Sequence, residues 1–285
     1  MADMNKNRQG PLYMLAASVC WSFGGLCIKF IPWSAMSIIG LRALLAAALF
    51  AVYRKSLRIN FTRGNILAAI CLAGTTILFV FANKLTTAAA AILLQFSAPV
   101  FVLLIELIAY GKRPRLSEIL AVLATLAGML LFFADRLAPG NFLGNLLAIA
   151  SGLSFAGVFV FNKRPDAIPD HSLFLGFLLN AAVGLPFVFL PGGFSADLLA
   201  IGAILFLGLV QVGLAYVFFS RGIARTPALL ACLISAVEPI LNPLWVALAT
   251  GELPGLFALL GGLIIIATVV GYRVWSSADQ EGHII

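Results

Sequence analysis

Charge is scarce in this chain. Only 10% of its 285 residues are Asp, Glu, Lys or Arg, and histidine occurs twice, His171 in a connection and His283 in the tail. Neither an H-E-x-x-H nor a G-x-x-x-x-G-K-[ST] pattern is present, so the metalloprotease and nucleotide-hydrolysis readings are excluded, and neither an enzyme nor a cofactor is expected. The four cysteines, Cys20, Cys27, Cys71 and Cys232, suit neither a zinc spacing nor a disulfide framework and read as small packing residues. In place of charge the chain has apolar surface: 62% of residues are hydrophobic and the mean hydropathy is +1.08. A soluble fold of this size has no interior large enough to hide that much, so lipid is the expected solvent.

A membrane-spanning helix needs about 20 apolar residues. Ten such stretches occur, at 11–31, 33–53, 64–83, 87–110, 116–134, 141–161, 172–190, 198–219, 227–250 and 254–274. The chain reads as an all-α integral membrane protein with short connections, and function has to sit inside the helical bundle. Residues 1–31 have a basic start and an apolar run like a secretion signal, but the run is too long for a cleaved segment and reads as the first span.

The +7 net charge is a topology signal. With the N-terminus in the cytoplasm, fourteen of the eighteen Lys and Arg residues lie on that side, among them Arg54, Lys55, Arg58, Arg63, Lys112, Arg164 and Arg221, against three (Lys29, Lys84, Arg136) at the outer edges. The positive-inside rule then puts both termini in the cytoplasm of a bacterial inner membrane. Clusters beside anionic headgroups account for the basic balance, and no nucleic-acid partner is expected.

The sequence repeats itself. Thr86, Pro99, Gly111 and Pro114 fall on Thr226, Pro239, Gly251 and Pro254 at an offset of 140, and Ser22, Phe23 and Gly25 fall on Ser154, Phe155 and Gly157 at 132. A five-span unit copied once enters the membrane upside down the second time, which predicts inverted-topology repeats over 10–137 and 138–275, with 276–285 as a cytoplasmic tail. Such halves exchange conformations around a fixed central site, the basis of alternating access.

Several residues are candidates for that site. Pro99 and Pro239 sit mid-span, where each removes a backbone hydrogen bond, and Pro243 adds a further break; the three are candidate hinges. Ser235, Glu238, Asn242 and Trp245 recur at helical spacing on one face. Glu238 lies at mid-depth, where a charge needs a partner or water; it reads as a proton-coupling carboxylate, a partner for a substrate ammonium or a structural acid. Arg42 is the other mid-span charge and pairs with a carboxylate, caps a helix end or snorkels outward. Its counterpart at an offset of 138 is Asn180. Trp21, Ser22, Phe79, Asn83, Gln95, Ser97, Phe155, Asn162, Gln211 and Tyr216 are the remaining cavity candidates. Trp21 stands out because Trp33 and Trp275 sit at belt depth, whereas Trp21 does not. Glu106 and Lys29 lie near span ends and read as snorkelling side chains.

The run from Lys84 to Pro99 with Gly111-Lys112-Arg113-Pro114, and its partner from Ala224 through Ser235-Ala236-Val237-Glu238-Pro239 to Gly251-Glu252, resembles the ten-helix drug/metabolite transporter superfamily, in particular the EamA-type carriers. The resemblance covers about residues 10–275, and overall likeness is greatest to bacterial aromatic amino acid exporters. It implies a small-molecule carrier whose cavity is lined by the first, third, fourth, sixth, eighth and ninth helices. The chain departs from many relatives in having Gly111-Lys112 where they have Gly-Glu, so Glu252 reads as a capping or surface acid.

Overall fold

The structure, a computed structural model, describes residues 2–24, 27, 31–134, 141–241, 245 and 255–282. In chain order its helices are α1 (Ala2–Trp21), α2 (Ala35–Arg54), α3 (Arg63–Leu85), α4 (Ala88–Gln95), α5 (Ala98–Tyr110), α6 (Leu116–Phe132), α7 (Phe142–Phe161), α8 (Pro169–Gly184), α9 (Leu198–Phe206), α10 (Ala215–Ile223), α11 (Ala228–Ser235) and α12 (Leu256–Gly282). A short 3-10 turn, Leu185–Phe189, follows α8, and a π-helical segment, Leu207–Leu214, joins α9 to α10. There is no strand among the described residues. Among the described residues seven helical stretches are long and apolar enough to cross a membrane: Ala35–Arg54, Arg63–Leu85, Ala89–Tyr110, Phe142–Phe161, Pro169–Phe189, Leu198–Ile223 and Leu256–Ser276. Leu116–Phe132 and Ala228–Leu241 are shorter apolar helices. Large side chains on the outside of the bundle, such as Ile108, Leu123 and Leu263, are exposed, as expected of a surface that meets acyl chains.

Local chemistry sets where the helices begin. The side chains of Ser34, Thr62, Thr87, Asn141 and Asp197 each accept a hydrogen bond from an amide in the first turn of the helix that follows. Each satisfies one of the donors left without an intrahelical partner. At the start of α6 the Arg115 amide donates to Glu118 Oε2 at 2.9 Å. Gly111, at φ 65°, stops α5. The apolar stretch 87–110 is interrupted at Phe96–Ser97, and the stretch beginning at 227 is interrupted at Ala236. The cause is in the sequence: Pro99 and Pro239 have no N–H to offer the carbonyls of Gln95 and Ser235, and α4 and α11 end at those two residues. Asn242 and Pro243 lie outside the described residues, as do Lys29, Arg136 and 246–254.

The helix contacts come in matched pairs. α3 packs along α7 and α8, while the span that contains the π segment packs along α1 and α2; α4 and α5 lie on α7, while α11 lies on α1. α2 with α8, and α6 with α12, are self-matched. Both self-matched crossings are tight. A Cβ on Gly184 would stand 2.4 Å from the Gly40 nitrogen, and one on Gly261 2.4 Å from the Phe132 nitrogen, so only glycine allows backbones this close.

Candidate functional site in the helix bundle

The π segment is the local irregularity that builds the centre of the bundle. Its wide turn holds Gln211, whose Nε2 donates to the Trp21 carbonyl at the end of α1 at 3.1 Å. Gly24 leaves the necessary room, because a Cβ there would be 2.8 Å from that nitrogen. π turns of this kind recur at functional sites. Trp21 and Gln211 are both buried, at 6% and 7% exposure. Trp21 Nε1 and Gln211 Oε1 have no hydrogen-bond partner among the described residues. A buried donor and a buried acceptor left open are costly unless water or a ligand satisfies them.

Aromatic rings surround this point. The Trp21 ring lies 5.0 Å from Tyr216 and 5.8 Å from Phe219. Tyr216 meets Phe177 at 5.3 Å, and the run continues through Phe50 on one side and through Phe159 and Phe155 on the other. Phe50, Phe159, Phe177 and Phe219 are fully buried and close the bundle between Trp21 and the end that carries Arg54 and Arg221. At that end the Arg221 Nε donates to Tyr53 Oη at 3.2 Å, and Lys163 Nζ donates to the Ile223 carbonyl at 3.1 Å. α10 is thereby tied to α2 and to the end of α7.

Charge enters on the other side of Tyr216. Arg42 on α2 and Glu238, just beyond the break at Ala236, attract each other, and the Tyr216 phenol interacts with both. Among the described residues neither charged group makes an ion pair or hydrogen bond at contact distance. All three side chains are deep among the helices yet keep some accessible surface, so they face an internal space instead of packed neighbours. The arrangement offers one positive group, one negative group and two aromatic faces around an opening, which is a means of holding a small dipolar molecule. No group of three or more His, Cys, Asp or Glu among the described residues could hold a metal ion.

The other candidates are distributed along the bundle. Ser22 Oγ accepts from Trp245 Nε1 at 2.7 Å while Phe23 stacks on Trp245 at 4.8 Å, which joins the end of α1 to the span after α11. Phe155 is buried in the aromatic run. Gln95 Nε2 donates to Ser151 Oγ at 2.8 Å, and that hydroxyl donates to the Thr75 carbonyl at 2.9 Å, so Gln95 fastens α4 to α7 and α3. Asn83 Nδ2 donates to the Phe79 carbonyl, and Phe79 packs in a separate small cluster with Ala82, Ala91 and Ala148. Ser97 and Ser235 bond within their own helices or turns, and Ser235 is fully buried; Asn162 Nδ2 donates to the Val158 carbonyl while its Oδ1 accepts from Ser172 Oγ at 2.5 Å, which joins the end of α7 to α8. The structure thus brings together Trp21, Gln211, Tyr216 and Glu238, and adds Arg42, Phe177 and Phe219. Of these additions only Arg42 carried a signal in the sequence, as a charge inside a span. Glu106, near the end of α5, meets Lys112 Nζ at 2.5 Å.

The fold and this interior define a carrier-type membrane bundle. The profile of the EamA-like transporter family matches residues 8–134 and again 142–273, and the chain belongs to that family of multi-pass membrane transporters. It is similar to an "Uncharacterized transporter" of Archaeoglobus fulgidus, 32% identical over 67% of this chain and 69% of that one. It is also similar to the "Uncharacterized transporter YwfM" of Bacillus subtilis, 30% identical over 75% of this chain and 73% of that one. A solved crystal structure 20% identical in sequence superposes with a TM-score of 0.79 over 95% of this chain and 98% of its own, a likeness of fold.

Proposed function

We propose that the protein is a secondary transporter that exports amino acids, aromatic ones included, across a bacterial inner membrane by alternating access, as the resemblance to exporters of the YddG type implies. Ten crossings in two inverted halves, 10–137 and 138–275, with both termini and the tail 276–285 in the cytoplasm, complete the reading. The matched helix contacts support it, since exchanging the two halves exchanges the members of each pair. The closed aromatic layer and the tethers of Arg221 and Lys163 at the positively charged end fit a conformation shut toward the cytoplasm.

The single observation that carries the substrate reading is the separated pair Arg42 and Glu238 beside Trp21 and Tyr216. An amino acid bears a carboxylate and an ammonium on one carbon, and the pair offers a counter-ion for each, while the indole and phenol rings receive an apolar or aromatic side chain. Trp21, Gln211, Tyr216, Glu238 and Arg42 form the proposed pocket, with Ser22, Phe155 and Trp245 around it. Phe79, Asn83, Gln95 and Asn242 are proposed as lining along the path to it, and Ser235, fully buried here, as a group that reaches the path when the helices rearrange. Pro99, Pro239 and Pro243 are proposed hinges, because α4 and α11 already end where the first two prolines withdraw a donor.

Proteoliposomes loaded with labelled phenylalanine, methionine or threonine should release it through a saturable route, faster than protein-free vesicles; equal release overturns the reading, and flux that never saturates points to a channel. The same vesicles with and without a pH gradient test coupling, with Glu238 as the group through which protons would act. A second reading, export of lipophilic cations, is favoured by Glu238 beside aromatic rings and opposed by the Arg42 charge. A Glu238→Gln variant that keeps amino acid flux and loses cation resistance would select it.

A further inference from the structure

The connection between α2 and α3 is held rigidly and yet presents a surface that water alone does not suit. α2 ends with the chain turning at Lys55, the one non-glycine residue with positive φ (52°) among the described residues. Arg54 then spends its charge inward, donating to the Arg58 carbonyl and lying 5.0 Å over the Phe174 ring. The far end of the connection is fastened to the segment before α8 and to the first turn of α8. The Asn60 amide donates to His171 Nδ1 at 2.8 Å, Thr62 Oγ1 to the Asp166 carbonyl at 2.6 Å, and the Gly64 amide to Asp166 Oδ2 at 2.9 Å. Asn65 ties both sides, donating to the Asn60 carbonyl and accepting from the Ile168 amide, each at 2.7 Å.

From this fixed frame Leu57 and Phe61 point outward, 73% and 66% exposed. Lys55, Arg58 and Arg63 flank them and are exposed. None of these three cations makes an ion pair or side-chain hydrogen bond among the described residues. The nearby acid Asp166 is already engaged by Arg164 Nε at 2.8 Å and by the Gly64 amide. No acidic residue occurs between Arg54 and Arg63 in the sequence.

We propose that this connection, with the first turn of α3, is a docking surface for anionic phospholipid headgroups. Lys55, Arg58 and Arg63 meet the phosphates, and Leu57 and Phe61 enter the boundary between headgroups and acyl chains. Charge complementarity selects the partner: three unpaired cations interleaved with two large apolar side chains, at the end of a membrane helix, match a surface that is negative outside and apolar just beneath. Because the connection is hydrogen-bonded to the segment before α8, a headgroup held here also fixes that segment and the α2–α8 crossing behind it.

The test uses the full-length protein in detergent, with native mass spectrometry of bound phosphatidylglycerol and of phosphatidylcholine with the same acyl chains. The wild type should retain phosphatidylglycerol preferentially. K55Q/R58Q/R63Q should lose that preference, at roughly fivefold in affinity per cation removed, with an unchanged melting temperature because none of the three has a protein partner. L57S/F61S should weaken retention of both lipids. Equal retention of the two lipids by the wild type, as a surface made for an acidic soluble protein would give, overturns the proposal, and so does a triple variant that keeps the wild-type preference. Neither result bears on the amino acid reading, which the vesicle flux tests separately.

Discussion

Gln211 caps Trp21: a side chain from the π segment reaches the carbonyl on which the first helix ends, across 190 residues of sequence, at 3.1 Å. Replacing it with leucine removes the donor and buries the carbonyl against an apolar group, at a cost of about 1–2 kcal/mol. Gln211→Leu should therefore unfold at a lower temperature than wild type in detergent. A variant that melts with the wild type would show that the contact contributes nothing to stability.

Arg42 and Glu238 are expected to act as one unit. Glu238→Gln and Arg42→Gln should each lower amino acid flux by roughly 30-fold, the equivalent of one charge-assisted contact of about 2 kcal/mol. The double variant should lose less than the product of the two single losses, since each single variant also leaves the other charge buried without its counter-charge. Initial rates of counterflow in proteoliposomes measure all three, and additive losses would break the proposed link between the two residues.

The α2–α8 crossing leaves no room for a methyl group. Gly184→Ala places a Cβ 2.4 Å from the Gly40 nitrogen and should destabilise the protein by about 2 kcal/mol or more. Gly202→Ala on α9 meets nothing within 4 Å and is the control, expected to melt at or slightly above wild type. Both are read by thermal unfolding of the purified protein.

Hydrogen bonds from Arg164 and from the Gly64 amide hold the Asp166 carboxyl below its ordinary 3.8. A depressed carboxyl contributes stability above its unfolded value and loses it as pH falls through the folded one. Melting temperatures of wild type and Asp166→Asn should thus differ by a constant amount from neutral pH down to about 4 and converge below that. A gap that persists under acid conditions would assign the effect to something other than ionisation.

Much of this architecture was legible in the sequence because its causes are local. Apolar stretches mark the helices, Ser34, Thr62, Thr87, Asn141 and Asp197 mark their starts, and the prolines place the interruptions. What escaped the sequence has distant causes. The first apolar stretch, 11–31, is interrupted after Trp21, where a glutamine from another span supplies the hydrogen bond, and Gly24 and Cys27 are helical again. The π segment has no residue signature of its own. Gln95 and Ser235 are equivalent across the repeat, but a glutamine is long enough to cross to Ser151, whereas a serine hydroxyl bonds back to Cys232 in its own helix. Arg42 is visible as a charge inside a span, but that Tyr216 and Glu238 are the groups near it follows only from the folded arrangement.

The two self-matched crossings share one further property. Where Gly40 meets Gly184, main chain touches main chain, and where Gly261 meets the α6 backbone beside Gly128 it does so again, with Ile264 and Ile265 filling the space over Gly128. In the alternating-access mechanism proposed above, a joint of glycine backbone would act as a bearing, since few side chains have to unpack before the helices turn. A carrier that swings between two openings, as proposed, needs low friction along the line about which it swings, and these glycines sit at the α2–α8 and α6–α12 crossings where the two proposed halves would turn against each other.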